Sequence, residues 1–341
     1  MRVVSLLPSA TEIVYALGLG DQLVGVTFEC DEPASARRDK TVVVGGRDTS
    51  GMSPAAIDAY VRAQLAAGQD LYTLHADALA ALDPDLILTQ DLCRVCALPT
   101  GHVEEALDYL GCAAEVISLD PRSLDDVLAT ILTVGEHTGA QRQAGHLVAA
   151  LRRRLTAVAD RVAGRHRPAA AVLEWVDPPF RAGHWVPDLV TAAGGRPVAA
   201  CPGGHSTQIT WEQIGAARPE MAVVAPCGFH LDGAAAQAEL AARQLPGIPV
   251  WAIDADGLVV RPGPRLVDGV EALASILHPG QVAAAPAGRI RRIALQRRGR
   301  VVRKSRRRLR YRCSAASPRV LPSRSDRRWL KSGLPLARRS G

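Results

Sequence analysis

The sequence predicts an α/β protein of two similar parallel-sheet lobes joined by one long helix. Short β-branched runs alternate with helical patterns through most of the 341 residues, which is typical of mostly parallel sheets. One stretch of about forty residues is helical in pattern throughout, and the two halves that flank it share one layout. The expected parts are a first lobe, a linking helical segment, a second lobe and a basic, disordered tail, at 1–122, 123–165, 166–280 and 281–341.

The chain opens with a strand–turn–helix unit. Residues 2–7 predict a strand that Pro8 ends, and Ser9 with Glu12 predicts a capping box for the helix that follows. In the linking segment, Ser123 and Asp126 are placed to cap a helix that Gly139 can interrupt. Further strands are expected at 23–28, 85–90, 114–119, 169–175, 221–225 and 249–254.

An acidic residue occupies the same place in both lobes. Asp77 opens a short helical pattern, and Pro84 and a strand follow it; Glu212 is followed in the same register by Pro219 and a strand. A carboxylate in the first turn of a helix can simply stabilise the helix dipole, so this interpretation stays open. The shared register nevertheless marks the two positions as equivalent.

The net charge of +7 conceals two oppositely charged regions. Residues from Arg289 onward hold 20 Lys and Arg and one acid, whereas residues 1–288 carry a net charge of −12. The tail lacks a sustained apolar period and is expected to be a solvated appendage; an arm for nucleic acid or an anionic surface is the alternative. Because Tyr311 and Trp329 are too sparse to stack bases, we do not expect a nucleic-acid partner.

Neither membrane insertion nor export is expected from the sequence patterns. No apolar run reaches the length of a membrane span, and the N-terminus does not resemble a signal peptide. The seven cysteines are odd in number and scattered, which is unlike a disulfide framework.

Aromatic residues concentrate where a cleft between the lobes is expected. Ligands of parallel sheets bind beyond the carboxyl ends of the strands, so the turns after the strands should line the cleft. Aromatic residues make up 4% of the chain, yet Trp175, Phe180 and Trp185 fall close together on one such turn. They predict a flat apolar ligand face, although Trp175 also fits a buried place at the end of its strand.

Several motifs, taken in order, resemble one known family. The opening RVVSLLPSATEIVYALG, the LVGV and PDLIL segments and the closing Arg261-Pro-Gly-Pro-Arg265 are similar to the cobalamin-binding branch of the iron-siderophore and cobalamin periplasmic-binding family. These are the substrate-binding proteins of ABC importers, and the resemblance covers residues 2–279. It implies a bilobed fold of the helical-backbone, cluster-A type. It also implies a non-enzymatic protein without a cofactor of its own, which holds cobalamin in the cleft and delivers it to the permease subunits.

The resemblance also implies residue roles. Asp77 and Glu212 match the acids that meet arginines of the permease, although Asp77 is shorter than the usual Glu. Glu29 stands where a tyrosine is common in the pocket. Cobalt needs no protein ligand, but His184 or His205 could replace its lower base. The positions that match the ligand pocket are Pro8, Ala10, Glu29, Trp175, Phe180, Trp185 and Arg265.

Two cysteines leave an alternative open. Cys93 and Cys96 form a C-x-x-C directly after the strand at 85–90, and we interpret this segment as a cleft-lining loop. A redox pair is the alternative, whereas a structural zinc site lacks a second pair of ligands, so no metal site is expected.

Other functions and two locations also stay open. One is a haem or ferric-siderophore binder of the same fold, and another is a cytosolic corrinoid-handling or redox protein that uses Cys93 and Cys96. The family resemblance implies a place outside the cytoplasmic membrane, whereas the absence of a signal peptide favours the cytoplasm.

Overall fold

A computed structural model gives the fold, and it describes residues 1–49, 51–92, 100–110 and 112–294. The helices are α1 (Pro8–Ala16), α2 (Ser35–Asp39), α3 (Pro54–Ala66), α4 (Ala76–Ala81), α5 (Thr100–Leu110), α6 (Leu124–His137), α7 (Gln141–Val162), α8 (Val186–Ala192), α9 (Trp211–Ala216), α10 (Leu231–Gln244), α11 (Ala255–Leu258) and α12 (Leu266–Leu277). The strands are β1 (Val3–Ser5), β2 (Leu23–Thr27), β3 (Thr41–Gly46), β4 (Tyr72–Leu74), β5 (Leu86–Thr89), β6 (Glu115–Ser118), β7 (Ala169–Val176), β8 (Pro179–Arg181), β9 (Arg196–Pro197), β10 (Thr207–Gln208), β11 (Met221–Val224), β12 (Val250–Ile253) and β13 (Ile290–Ile293).

Each lobe is built on its own sheet. The first has the order β4-β3-β2-β1-β5-β6, and its strands are parallel except for β4. The second has the order β10-β8-β7-β11-β12-β13, and β9 pairs with β7 off this path. Strands β7, β9, β11 and β12 are parallel, whereas β8, β10 and β13 pair antiparallel to their neighbours. The central strands are almost wholly buried, as helices on both faces of a parallel sheet require. The predicted two-lobed α/β fold is confirmed.

The linking segment consists of two helices. Ser123 and Asp126 form the predicted capping box of α6, and Gly139, at φ +71°, separates α6 from α7. The 22 residues of α7 extend over about 33 Å at 1.5 Å per residue. Val148 near the beginning of α7 packs into the core of the first lobe, whereas Val158 near its end packs into the core of the second. One rigid helix therefore contacts both lobes.

The predicted capping box of α1 is wrong. Leu7 is the N-cap residue, Pro8 is the first residue of the helix, and Ser9 and Glu12 lie inside it. Proline is well suited to the first helical position because its nitrogen has no hydrogen to donate there. The Glu12 side chain makes no capping bond in α1 and instead accepts a hydrogen bond from Arg265 of the second lobe.

Strand β13 lies within the segment that the sequence predicts to be a disordered tail. Strand β13 pairs with β12 along four residues, and Asp254 donates its backbone N–H to the carbonyl of Arg289 at 2.9 Å. The pairing adds an antiparallel strand at the edge of the sheet and gives the β12 edge a backbone partner. The tail boundary at 281 is corrected for this part: described structure continues to residue 294.

Candidate cleft between the lobes

Ion pairs join the lobes at the turns that follow their strands. Glu12 and Asp31 follow β1 and β2 in the first lobe, whereas His230, Arg261 and Arg265 follow β11 and β12 in the second. Every one of these side chains has a partner in the opposite lobe. The carboxyl ends of both sheets therefore face one junction, as expected for a ligand cleft.

Glu12 and Arg265 form a largely buried contact between the lobes. Arg265 Nε donates to Glu12 Oε2 at 2.9 Å, and its Nη2 bonds to Glu12 Oε1, which makes the pair bidentate. The Glu12 side chain is only 5% exposed. Burial raises the pKa of Glu12, while the two hydrogen bonds from Arg265 oppose that rise. Arg265 is thus bound to the other lobe, and its role toward a ligand remains a prediction.

Asp31 receives two cations from the second lobe. Arg261 Nη1 bonds to its Oδ1, and His230 Nε2 lies 3.2 Å from its Oδ2. Burial acts to raise the pKa of Asp31, but the bonds from His230 and Arg261 hold it well below its ordinary value. Arg261 also reaches the buried Asp256 at 3.2 Å, so one guanidinium ties a carboxylate of each lobe.

His230 bridges the lobes through both ring nitrogens. Its Nδ1 lies 2.9 Å from Asp254 Oδ1, opposite the contact with Asp31. The hydrogen bonds to Asp254 and Asp31 raise the pKa of His230 to about 10, so both nitrogens donate at neutral pH. Asp254 is itself fixed by Arg289 and by the backbone N–H of Gly257. The junction is thus a continuous network of alternating charge.

Glu29 enters the junction without an ion pair among the described residues. Its carboxylate accepts a hydrogen bond from the Tyr72 hydroxyl at 3.5 Å, and Asp256, Arg261 and Asp31 act on it through space. Burial, with the repulsion of Asp256, raises the pKa of Glu29 to about 7. This half-buried acid therefore changes charge near neutral pH.

The aromatic face differs from the one predicted. Trp175 packs against Phe229, with ring centroids 5.7 Å apart, and Phe180 is paired with Trp175 across the β7–β8 ladder. Trp185 is 6% exposed in the core of the second lobe, and its Nε1 donates to the Val259 carbonyl at 2.8 Å. The expectation that Trp185 lines the ligand face is wrong, because the side chain and its polar atom are both satisfied inside the lobe.

The remaining predicted pocket residues have unequal access to the cleft. Pro8 is half-buried at the beginning of α1, whereas Ala10 is fully buried and offers no surface to a ligand. His184 and His205 come together, with Nε2 and Nδ1 3.2 Å apart, and burial lowers the pKa of His184 to about 4. Within the described ranges no group of His, Cys, Asp or Glu is arranged to hold a metal ion. Cys93 and Cys96 lie outside the described residues.

Asp77 and Glu212 occupy equivalent, exposed positions. Each is the second residue of a short helix, α4 or α9, and each precedes by two residues a fully buried apolar side chain, Leu79 or Ile214. The predicted shared register is therefore also a shared geometry. Their role toward a partner remains a prediction.

Sequence reasoning missed most of the junction. Asp31 and His230 stand alone in turns without a motif around them, and Glu12 fitted a capping pattern. A signal was present for Phe229, since it lies in a turn directly after a predicted strand. The Arg261-Pro-Gly-Pro-Arg265 segment was noticed through the family resemblance, which carried no information about its partners.

Two α/β lobes, a helical link and strand ends that meet at one junction define a bilobed binding protein of the helical-backbone type. The chain belongs to the periplasmic binding protein family, whose sequence pattern matches residues 3–251. The resemblance stated from the sequence is confirmed at this level. The family is one of substrate-binding proteins of ABC importers. Among the described residues, no helix has the length and apolarity that a bilayer crossing demands.

Relatives agree with this assignment. A vitamin B12-binding protein of Vibrio cholerae is 27% identical over 288 residues, which cover 82% of this chain and 90% of the relative. One from Yersinia pestis is 26% identical over 239 residues, or 69% and 73% of the two chains.

Solved structures agree with the fold. A periplasmic haem-binding protein from Pseudomonas aeruginosa has a TM-score of 0.62 at 22% identity, covering 86% of this chain and 98% of that one. The periplasmic vitamin B12-binding protein of Vibrio cholerae has a TM-score of 0.56 at 22% identity, covering 81% and 96%. Structures that bind different ligands thus share this fold.

Proposed function

We propose that this protein receives a corrinoid in the cleft between its lobes and delivers it to the permease of an ABC importer. The observation that carries the proposal is the likeness over most of the chain to two vitamin B12-binding proteins, since it includes both lobes and the link. The Trp175–Phe229 pair supports it, because stacked and tilted rings give a flat ligand an apolar face. This function requires no chemical step, so no residue acts as a catalyst.

The Trp175 indole supports a ligand role more specifically. Its Nε1 is buried and, among the described residues, has no hydrogen-bond partner. A buried donor without an acceptor costs about 1–3 kcal/mol. An amide oxygen on the ligand would remove that cost, whereas the Trp185 Nε1 already has its acceptor.

Titration calorimetry with cyanocobalamin tests the ligand. The wild-type protein should bind at micromolar concentrations or tighter, and Trp175→Ala should weaken binding at least tenfold through the lost stacking surface. Trp211→Ala is the matched control, because this tryptophan lies at the beginning of α9, outside the Trp175–Phe229 ring pair, and its loss should leave affinity unchanged. The absence of binding heat from folded wild-type protein would reject the corrinoid assignment.

Haem is the second candidate ligand, favoured by the fold that this chain shares with haem-binding proteins. At 22% identity that likeness concerns the fold alone, so the corrinoid has the stronger support. The visible absorbance spectrum of protein purified from its native cells distinguishes the two, because corrinoids and haem absorb differently. A haem spectrum would reverse the preference.

Asp77 and Glu212 are the docking residues in this proposal. Exposed carboxylates at equivalent places on two lobes can meet two arginine groups of a permease and set its orientation. Asp77→Lys and Glu212→Lys should keep cyanocobalamin affinity but abolish importer-dependent uptake. Asp125→Lys, at a side chain 87% exposed on α6, is the control that should retain uptake. Equal uptake by all three variants would remove the docking role.

The proposal places the protein on the outer side of the cytoplasmic membrane, where an importer takes up its ligand. Fractionation of native cells, with mass spectrometry of the N-terminus of the recovered protein, tests this. Recovery only from the cytoplasm would favour the corrinoid-handling or redox alternative that uses Cys93 and Cys96.

A further inference from the structure

The cations at the lobe junction already have carboxylate partners, which bears on whether the ligand is neutral or anionic. Three cations reach the junction from the second lobe, and each is already bound to carboxylates. Arg265 is held by Glu12 and, at 3.8 Å, by Glu32. Arg261 is held by Asp31 and Asp256, and His230 by Asp31 and Asp254. An incoming anion would have to displace one of these carboxylates to gain a partner.

Glu29 is the carboxylate of this network that makes no ion pair among the described residues. The described cations Arg261, Arg265, His230 and Arg289 pair with the acids Glu12, Asp31, Glu32, Asp254 and Asp256, so Glu29 adds a further, unpaired negative charge when ionised. Its nearest polar contact is the Tyr72 hydroxyl, not a cation. The groups that act on it from other elements are Asp256, Arg261 and Asp31.

A carboxyl group in this setting distinguishes amides from carboxylates. An ionised carboxylate accepts a hydrogen bond from an amide N–H, and a protonated one donates to an amide oxygen. A ligand carboxylate meets like charge instead, and a low-dielectric site makes that repulsion costly. The rim of the corrin ring carries amide side chains, whereas haem carries propionate carboxylates.

We infer that the cleft selects ligands whose rim groups are neutral amides over ligands that carry carboxylates, and that Glu29 is the specificity-determining residue. The inference rests on the proposed function, since it concerns the ligand of the same cleft. It adds to that function the class of ligand that Glu29 of the first lobe disfavours, namely ligands that carry carboxylates.

The test compares cyanocobalamin with its monocarboxylic derivatives, each with one propionamide hydrolysed, and with haemin. At pH 8 Glu29 is largely ionised, since burial and Asp256 place its pKa at about 7. Wild-type protein should bind cyanocobalamin at least about tenfold tighter than haemin and than the derivative whose acid faces Glu29. Glu29→Gln should reduce that ratio about tenfold. Glu239→Gln removes the same charge from an exposed position on α10 and should leave the ratio unchanged.

A second measurement follows the pH dependence of the same affinity ratio. The ratio of affinities for cyanocobalamin and the discriminated acid derivative should rise in the wild-type protein between pH 6 and pH 8 as Glu29 ionises. Arg261 keeps its charge over that range because Asp256 and Asp31 raise its pKa against the effect of burial, and Asp31 stays ionised because its pKa is lowered. Burial also raises the pKa of Asp256 and of Glu12, so the same pH series is measured with Glu29→Gln, in which the rise of the ratio should disappear. A flat ratio in the wild-type protein would overturn the role of Glu29.

The outcomes separate this inference from the proposed function. Haemin binding as tightly as cyanocobalamin, or an unchanged ratio in Glu29→Gln, overturns the inference while the binding protein stands. Binding of haemin alone overturns it together with the corrinoid ligand. Binding of neither compound rejects the inference and the proposed function together.

Discussion

Glu12 and Arg265, which are 253 residues apart in the sequence, form a bidentate ion pair across the lobe junction. One belongs to the first helix of the first lobe and the other is the N-cap residue of α12 in the second. Val267, two residues beyond Arg265, is buried in the core of the first lobe. Polar and apolar contacts therefore both hold the beginning of α12 against the first lobe.

Breaking this pair should destabilise the protein. Arg265→Met leaves the buried Glu12 carboxylate without its partner and should reduce the free energy of unfolding by roughly 3 kcal/mol. The double variant with Glu12→Leu should lose less than Arg265→Met alone, because no isolated charge remains. Urea unfolding at pH 7 measures both.

An exposed pair is the control for that measurement. Arg243 and Glu239 are 3.7 Å apart on the surface of α10, so Arg243→Met should cost less than about 0.5 kcal/mol. An equal decrease in the free energy of unfolding for Arg265→Met and Arg243→Met would show that the junction pair stabilises the protein no more than an exposed pair does.

His230 should make stability depend on pH. Its folded pKa of about 10 lies above the ordinary value near 6.5, because Asp254 and Asp31 bind the protonated ring and Asp256 faces it as well. Its contribution is therefore full below about pH 6.5 and is lost as the pH rises toward 10. The melting temperature of the wild type should exceed that of His230→Gln at pH 6, and the difference should shrink by pH 10. A difference that is constant with pH would contradict the bridge between the lobes.

Glycine at position 269 is required by close packing. A Cβ atom there would lie 1.9 Å from the Leu258 carbonyl oxygen, so α12 could not stay against α11. Gly269→Ala should cost about 1–3 kcal/mol in urea unfolding. Gly215→Ala is the matched helical control: its Cβ would enter open space, and alanine should stabilise the protein by about 0.5–1 kcal/mol. A neutral Gly269→Ala would mean that the two helices separate easily.

The fold was readable from the sequence because its signals are local. The seven predicted strands all exist, with ends within about two residues, since each is a short apolar run bounded by turn residues. Strands β8 and β10 were missed because they hold only three and two residues and owe their extended form to pairing with each other and with β7. Strand β13 was missed because its Arg291 and Arg292 look like part of a charged tail.

The sequence predicts which turns line the cleft but not which of their charged side chains pair. Strand ends marked the turns, and thus the region of Trp175, Phe229 and Glu29. Which charges pair depends on the relative placement of two lobes, and no short-range pattern encodes the contact of Asp31 with Arg261 or His230. For the same reason Trp185, flanked by Gly and Pro in the sequence, was assigned to a ligand face and lies in the core.

The position at which the folded body ends can be tested by two truncations. Removal of all residues after Ala294 should leave the melting temperature and cyanocobalamin affinity unchanged, because the described contacts of the body are all retained.

Removal of all residues after Gly288 deletes β13, the Arg289 side chain that holds Asp254, and the partly buried Ile290 and Ile293 that pack against the core of the second lobe. That truncation should therefore lower the melting temperature. Equal stability of the two truncated proteins would show that β13 adds nothing to the fold, and a loss of stability on truncation after Ala294 would assign the basic tail a structural role.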